Sequence, residues 1–155
     1  MSRELVESYA AGAGEPLRWI AGLSKDELNA HPVAGTWSVQ QVLMHMLDSE
    51  MMAIGRMQRV IAEDNPLIIP YNENRFVERL GYEHADTKAA AEAFAHIRRI
   101  HTETLRRLPA EAFDRTGVHA DHGKLTLRQF VEMYANHVTH HGKFVAAKRV
   151  ALGKA

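Results

Sequence analysis

The sequence predicts an all-α fold: an antiparallel four-helix bundle with a short extra helix in the connection between the second and third long helices. Three observations lead there. Four long segments repeat apolar side chains at the helical period. Several of these segments open on residues that cap helix amides. No stretch sustains the period-two alternation, bounded by turn residues, that a strand requires.

The first helix is expected over residues 3–23, with Gly12 and Gly14 bending it or dividing it in two, because glycine weakens a helix interior by about 1 kcal/mol relative to alanine. Ser24 followed by Glu27 has the form of a capping box and opens a short turn. His31-Pro-Val-Ala-Gly-Thr reads as a loop. Ser38 with Gln41 is a second capping box, opening the second helix over residues 39–63. Its apolar face carries Val39, Val42, Leu43, Met46, Ala53, Ile54, Met57 and Ile61. Asn65-Pro66 ends it, since proline pushes the preceding residue out of the helical region. After a loop, a short helix at 73–80 is closed by Gly81. Thr87 is expected to cap a third long helix reaching residue 108, with Phe94, Ile97, Ile100 and Leu105 available for packing. Residues 109–124 read as irregular. Thr126 caps the last helix, which runs to about residue 152 and stops at Gly153.

No repeat, low-complexity tract or shift of composition divides the chain, so residues 1–155 read as one domain, long enough to bury a core without disulfides. Nineteen basic and nineteen acidic residues balance, and no basic stripe carries interleaved aromatics, which argues against nucleic acid as a partner. The most apolar segment, residues 42–55, is interrupted by His45, Asp48 and Glu50, so no membrane span is expected. The start, Met-Ser-Arg-Glu-Leu-Val-Glu, lacks the basic flank and apolar run of a secretory signal, and a cytoplasmic protein is expected. The absence of cysteine excludes disulfides, thiolate metal ligands and a cysteine nucleophile.

The last helix carries the main chemical signal. At about 100° per residue, Phe130, Tyr134, His137, Val138, His141 and Val145 share roughly one third of its circumference. Two imidazoles on a face meant for burial need a partner. A divalent metal ion uses both, because side chains at i and i+4 can converge on one point. With ten histidines in the chain the spacing alone is weak, and two ordinary boundary histidines remain the alternative. His31, His84, His96, His101, His119 and His122 are read as surface, loop or capping residues, and His140 as a solvent or rim residue. His45 sits on the flank of the second helix, a position that suits a cleft-lining ligand and a partly exposed histidine equally. Glu50 falls near the middle of that helix's apolar arc. There it is a general base or ligand-orienting acceptor or, more simply, a buried partner of an arginine such as Arg75 or Arg18. Asp48 is assigned to the solvent side. Trp37 is read as a cover over the bundle end, and Tyr134 as a packing residue.

Three stretches together resemble the DinB-like, YfiT-type superfamily of small four-helix-bundle metalloproteins: Gly35-Thr-Trp37-Ser38-Val39 leading to His45 and Glu50, Gly-Lys-Leu-Thr-Leu at 123–127, and His137-x-x-x-His141. The resemblance spans about residues 5–150. It implies that one histidine of the second helix and the i,i+4 pair of the last hold the metal, which places His45, His137 and His141 in those roles. It also implies that Tyr71 and Asn72 form part of a pocket mouth. Three imidazoles leave a fourth position open, as in catalytic sites, and suit zinc or nickel alike. The resemblance further implies a small-molecule substrate, with two chemistries in view: transfer of a low-molecular-weight thiol cosubstrate to an electrophile, or hydrolysis. A non-catalytic metal-binding stress-response module is the alternative. Relatives that pair through helix faces, and Met44, Met51 and Met52 lying off the apolar stripe, suggest a homodimer.

Overall fold

The computed structural model describes residues 2–154. In chain order the elements are α1 (Ser2–Ala11), a 3₁₀ turn (Gly12–Gly14), α2 (Glu15–Ile20), α3 (Lys25–Asn29), α4 (Val39–Ala62), β1 (Leu67–Ile68) and α5 (Glu73–Arg79). A 3₁₀ turn (Tyr82–His84), α6 (Thr87–Arg106), a further 3₁₀ turn (Ala110–Asp114), β2 (Thr116–His119), β3 (Gly123–Thr126) and α7 (Leu127–Ala151) complete it.

The four-helix bundle consists of α1 with α2, α4, α6 and α7. A 3₁₀ turn at Gly12–Gly14 divides the first helix, and the chain passes close to two neighbours at Gly12. A Cβ on Gly12 would lie 3.2 Å from Val138 Cγ2 and 3.3 Å from Arg98 Nη1. Capping boxes form at Ser24 with Glu27, Ser38 with Gln41 and Thr126 with Gln129. The third long helix differs from expectation. Asp86 is its cap, accepting from the Ala89 amide, while the Thr87 hydroxyl donates to Gln40 Oε1 on α4. A stronger cap one residue earlier frees Thr87 to tie two helices together.

Contacts between helices fix their directions. Thr87 meets Gln40 and Arg98 meets Glu50, so α4 and α6 run parallel. Arg128 meets Ser2 and Arg149 meets Trp19, so α7 runs with α1 and α2. Lys148 reaches back to Thr36, before the start of α4, and Arg106 to Glu7, so the two pairs oppose each other. The connection from Ala62 to Thr87 returns the chain along the length of the bundle and carries β1 and α5.

The segments read as loop and as irregular contain three short strands. β1 pairs in parallel with β2 (Leu67 with Val118), and β2 pairs antiparallel with β3 (Gly117 with Leu125). Strands of two to four residues are too short for alternation to be seen in the sequence. Gly117 is needed because a Cβ there would meet Val60 Cγ2 at 2.9 Å.

Two main apolar clusters fill the bundle. One gathers Val6, Met57, Leu105, Phe113 and Phe130, and the other Trp19, Val42, Met46, Phe94 and Val145. On α6 the inward stripe is Phe94, Arg98, His101 and Leu105, whereas Ile100 is 70% exposed. Phe94 and Leu105 pack as expected and Ile100 does not, since two polar side chains complete the stripe. Among the described residues no helix is long and apolar enough to cross a membrane.

Candidate metal centre

Helix α4 supplies His45 and helix α7 supplies His137 and His141, one turn apart. Each offers a ring nitrogen, and the three nitrogens lie within 4.8 Å of one another. His45 Nε2 is 3.3 Å from His137 Nε2. That separation matches the edge of a tetrahedron around a zinc ion with nitrogens at 2.0–2.1 Å, about 3.3 Å. His45 is buried, while His137 and His141 are half-buried, so the cluster faces outward from the bundle on one side.

Burial holds all three rings neutral. The pKa of His45 is pushed down to about 4 by burial. That of His137 falls to about 3, from burial first and then from the neighbouring His141 and His45. His141 falls to about 4, from burial and then from His45 and His140. At neutral pH the cluster therefore presents unprotonated lone pairs, which is the state a metal requires. The remaining nitrogens differ. His137 Nδ1 lies 3.4 Å from Ser49 Oγ, so a ring bound through Nε2 can donate its other N–H to that hydroxyl. His141 Nδ1 is buried with no hydrogen-bond partner among the described residues, a polar atom the protein itself leaves unsatisfied. The donor set fits a divalent cation.

The walls of the site come from the segment before α4, the connection from β1 to α5, and the start of α5. The Trp37 ring lies tilted against the His45 ring with centroids 5.1 Å apart, so the residue read as an end cover packs directly on a candidate ligand. Glu73, the first residue of α5, brings Oε2 within 3.7 Å of His45 Nε2 while remaining about half exposed. Sequence reading gave Glu73 no role. Its signal is the Asn72 cap, which accepts from the Arg75 amide and so starts α5 at Glu73. Tyr71 flanks the same side: its hydroxyl makes a contact with Ser49, and burial pushes its pKa up to about 12. Asn72 is exposed and serves as the cap of α5.

Glu50 lies apart from this wall. Its carboxylate accepts from the Tyr9 hydroxyl and forms a 3.6 Å ion pair with Arg98. The arginine is neither of those proposed: Arg18 pairs with Glu15 on the surface, and Arg75 is exposed. Three further residues depart from expectation. Asp48 is buried and accepts from the Tyr82 hydroxyl. His101 is buried on the inward stripe of α6, and His119 is buried on the inner side of β2. His31, His84, His96, His122 and His140 are exposed as expected. Tyr134 is buried, and its hydroxyl accepts from Arg56 Nη1 at 2.7 Å.

With the geometry in hand, comparison with known proteins gives a consistent picture. The model of the DinB superfamily matches residues 14–145. A protein of Oceanobacillus iheyensis named "putative metal-dependent hydrolase" is 29% identical over 122 residues, covering 79% of this chain and 70% of its own. YfiT from Bacillus subtilis, described as a probable metal-dependent hydrolase with an unusual four-helix bundle topology, superposes with a TM-score of 0.92 at 22% identity, covering 99% of this chain and 89% of its own. A DinB-like protein of the same organism, YjoA, superposes with a TM-score of 0.68 at 17% identity, covering 98% and 94%. The two solved structures share the fold.

Proposed function

We propose that this chain, which belongs to the DinB superfamily, is a metal-dependent enzyme that hydrolyses a small molecule at the cluster of His45, His137 and His141. One observation carries the reading: three imidazoles from two helices gather their nitrogens within 4.8 Å on a half-open face. The names of relatives over most of the chain favour hydrolysis among the metal-dependent chemistries.

His45, His137 and His141 hold the cation, most simply zinc or nickel, since imidazole suits both. When bound there, the ion polarises a substrate oxygen or sulfur and lowers the pKa of an incoming nucleophile. Ser49 Oγ fixes the His137 ring by accepting from Nδ1–H. Trp37 closes one side of His45 against water. Glu73 is the carboxylate placed to take a proton at Oε2 and return it to a leaving group, being within 3.7 Å of a candidate ligand and open to exchange with solvent. Glu50, already committed to Tyr9 and Arg98, holds the bundle beneath the site. Because the chain has no cysteine, a thiol pathway would need an external low-molecular-weight thiol in the open position.

The test compares metal-stripped, zinc-loaded and nickel-loaded protein on small esters and amides, and on an electrophile supplied with a free thiol. Metal-dependent hydrolysis is expected, lost in His45→Ala and reduced about a hundredfold or more in Glu73→Gln. Turnover that survives metal removal would overturn the reading, and conjugation without hydrolysis would replace it with thiol transfer.

A further inference from the structure

One cation near the centre has no carboxylate partner. Arg56, on α4, forms no ion pair among the described residues, in contrast to Arg59, Arg98, Arg106, Arg115 and Arg128. Two neutral acceptors hold its guanidinium in place: the Tyr134 hydroxyl at 2.7 Å from Nη1 and the Ile69 carbonyl at 2.9 Å from Nη2. The Tyr71 ring lies beneath it at 5.8 Å. Of five guanidinium N–H groups, two have partners among the described residues, and the side chain is half-buried.

The position of this fork matters more than its charge. Tyr134 precedes His137 by one turn on the same face of α7. Tyr71 touches Ser49, and Ser49 touches His137 Nδ1. A continuous polar wall therefore runs from the candidate ligands through Ser49, Tyr71 and Tyr134 to an uncompensated guanidinium. The strap from α4 to α5 completes the arrangement, since Ile69 and Tyr71 both belong to it.

We propose that Arg56 forms an anion subsite beside the histidine cluster, and that the substrate is a small molecule carrying a carboxylate in addition to the group that reacts. The inference rests on the metal centre proposed above for its catalytic meaning, but the subsite itself is a property of Arg56 and its neighbours. A single planar fork with one positive charge balances one carboxylate and grips it with two parallel hydrogen bonds. A phosphate dianion would need a second cation. Burial and the nearby Arg56 lower the His119 pKa, which disfavours that ring as the second cation.

Two arms separate this subsite from the metal centre. In metal-free protein labelled with ¹⁵N, glutarate is expected to shift the Arg56 Nε–H resonance saturably, and inorganic phosphate to bind more weakly. In zinc-loaded protein, calorimetry compares ω-carboxyalkyl hydroxamates of graded length with alkyl hydroxamates of the same length. The carboxylated probe of matching length should bind about tenfold tighter. Arg56→Met should bring the ratio between the two probes to about one, whatever its effect on both, and Arg56→Lys should recover part of the difference. A glutarate shift without zinc uptake supports the subsite and overturns the centre. Normal zinc uptake with no glutarate shift, or with equal binding of the two hydroxamates, overturns the subsite and leaves the centre standing. Tighter binding of phosphate than of glutarate overturns the carboxylate assignment.

Discussion

Glu50 Oε2 lies 3.6 Å from Arg98 Nη1 in the middle of the bundle, with neither side chain reaching solvent. Around them, the Tyr9 hydroxyl donates to the other carboxylate oxygen, the guanidinium lies 4.0 Å over the Tyr9 ring, and Nη2 donates to the Tyr134 carbonyl. Burial raises the Glu50 pKa while Arg98 and Tyr9 oppose the rise. The pair thus costs desolvation and recovers it only while both members are present.

Removing one member should therefore be far worse than removing both. Arg98→Met leaves a buried carboxylate unpaired and is expected to lose about 3–5 kcal/mol in urea unfolding. The double variant Arg98→Met with Glu50→Leu should recover most of that loss. A double variant that is folded and retains its metal and turnover assigns Glu50 a structural role. A folded Glu50→Gln protein with a collapsed kcat would restore the general-base assignment.

His101 gives a pH dependence whose sign is fixed. Burial, then Arg98, lowers its pKa to about 4 in the folded state, against about 6.5 unfolded. Above the unfolded value neither state is protonated and its full contribution to stability is present. As pH falls below about 6.5 the unfolded chain gains the proton first, so stability drops by up to roughly 1.4 kcal/mol per pH unit, until near pH 4 the folded ring also titrates. Both ring nitrogens are buried without partners among the described residues. His101→Leu should therefore be tolerated at pH 7.5 and should flatten this segment of the curve, as read from urea midpoints across pH.

Ser49→Ala takes away the acceptor that faces His137 Nδ1. Metal affinity, measured by competition with a chelator, should weaken about 10- to 100-fold with no change in the circular dichroism spectrum.

Ser38→Ala removes the hydroxyl that accepts from the Gln41 amide at the start of α4. A loss of about 1 kcal/mol is expected in thermal or urea unfolding.

Much of this architecture is legible from capping residues and helical periodicity, because Ser38, Thr126, Gly81 and Gly153 mark their boundaries locally. His137 and His141 are legible for the same reason, as polar residues on a buried stripe. Arg98 and His101 are not, since reading α6 by its apolar residues alone selects Ile100, which faces solvent. The strands escape notice because Leu67–Ile68 and Thr116–His119 gain their identity only from each other, across a separation of about fifty residues. Glu73 reaches the site through the strap that links α4 to α5, and the path of that strap is set by tertiary contacts such as Arg56 on α4 to Ile69. Glu50 lay between two readings in the sequence, and the identity of its partner required the parallel pairing of α4 with α6.

The most direct measurement is the metal content of the tag-free protein by mass spectrometry, before and after incubation with zinc or nickel. About one divalent ion per chain is expected, and the double variant His137→Ala with His141→Ala should lose it while remaining folded. A fully folded wild-type protein that takes up neither metal, or a double variant that binds as much as the wild type, would contradict the account.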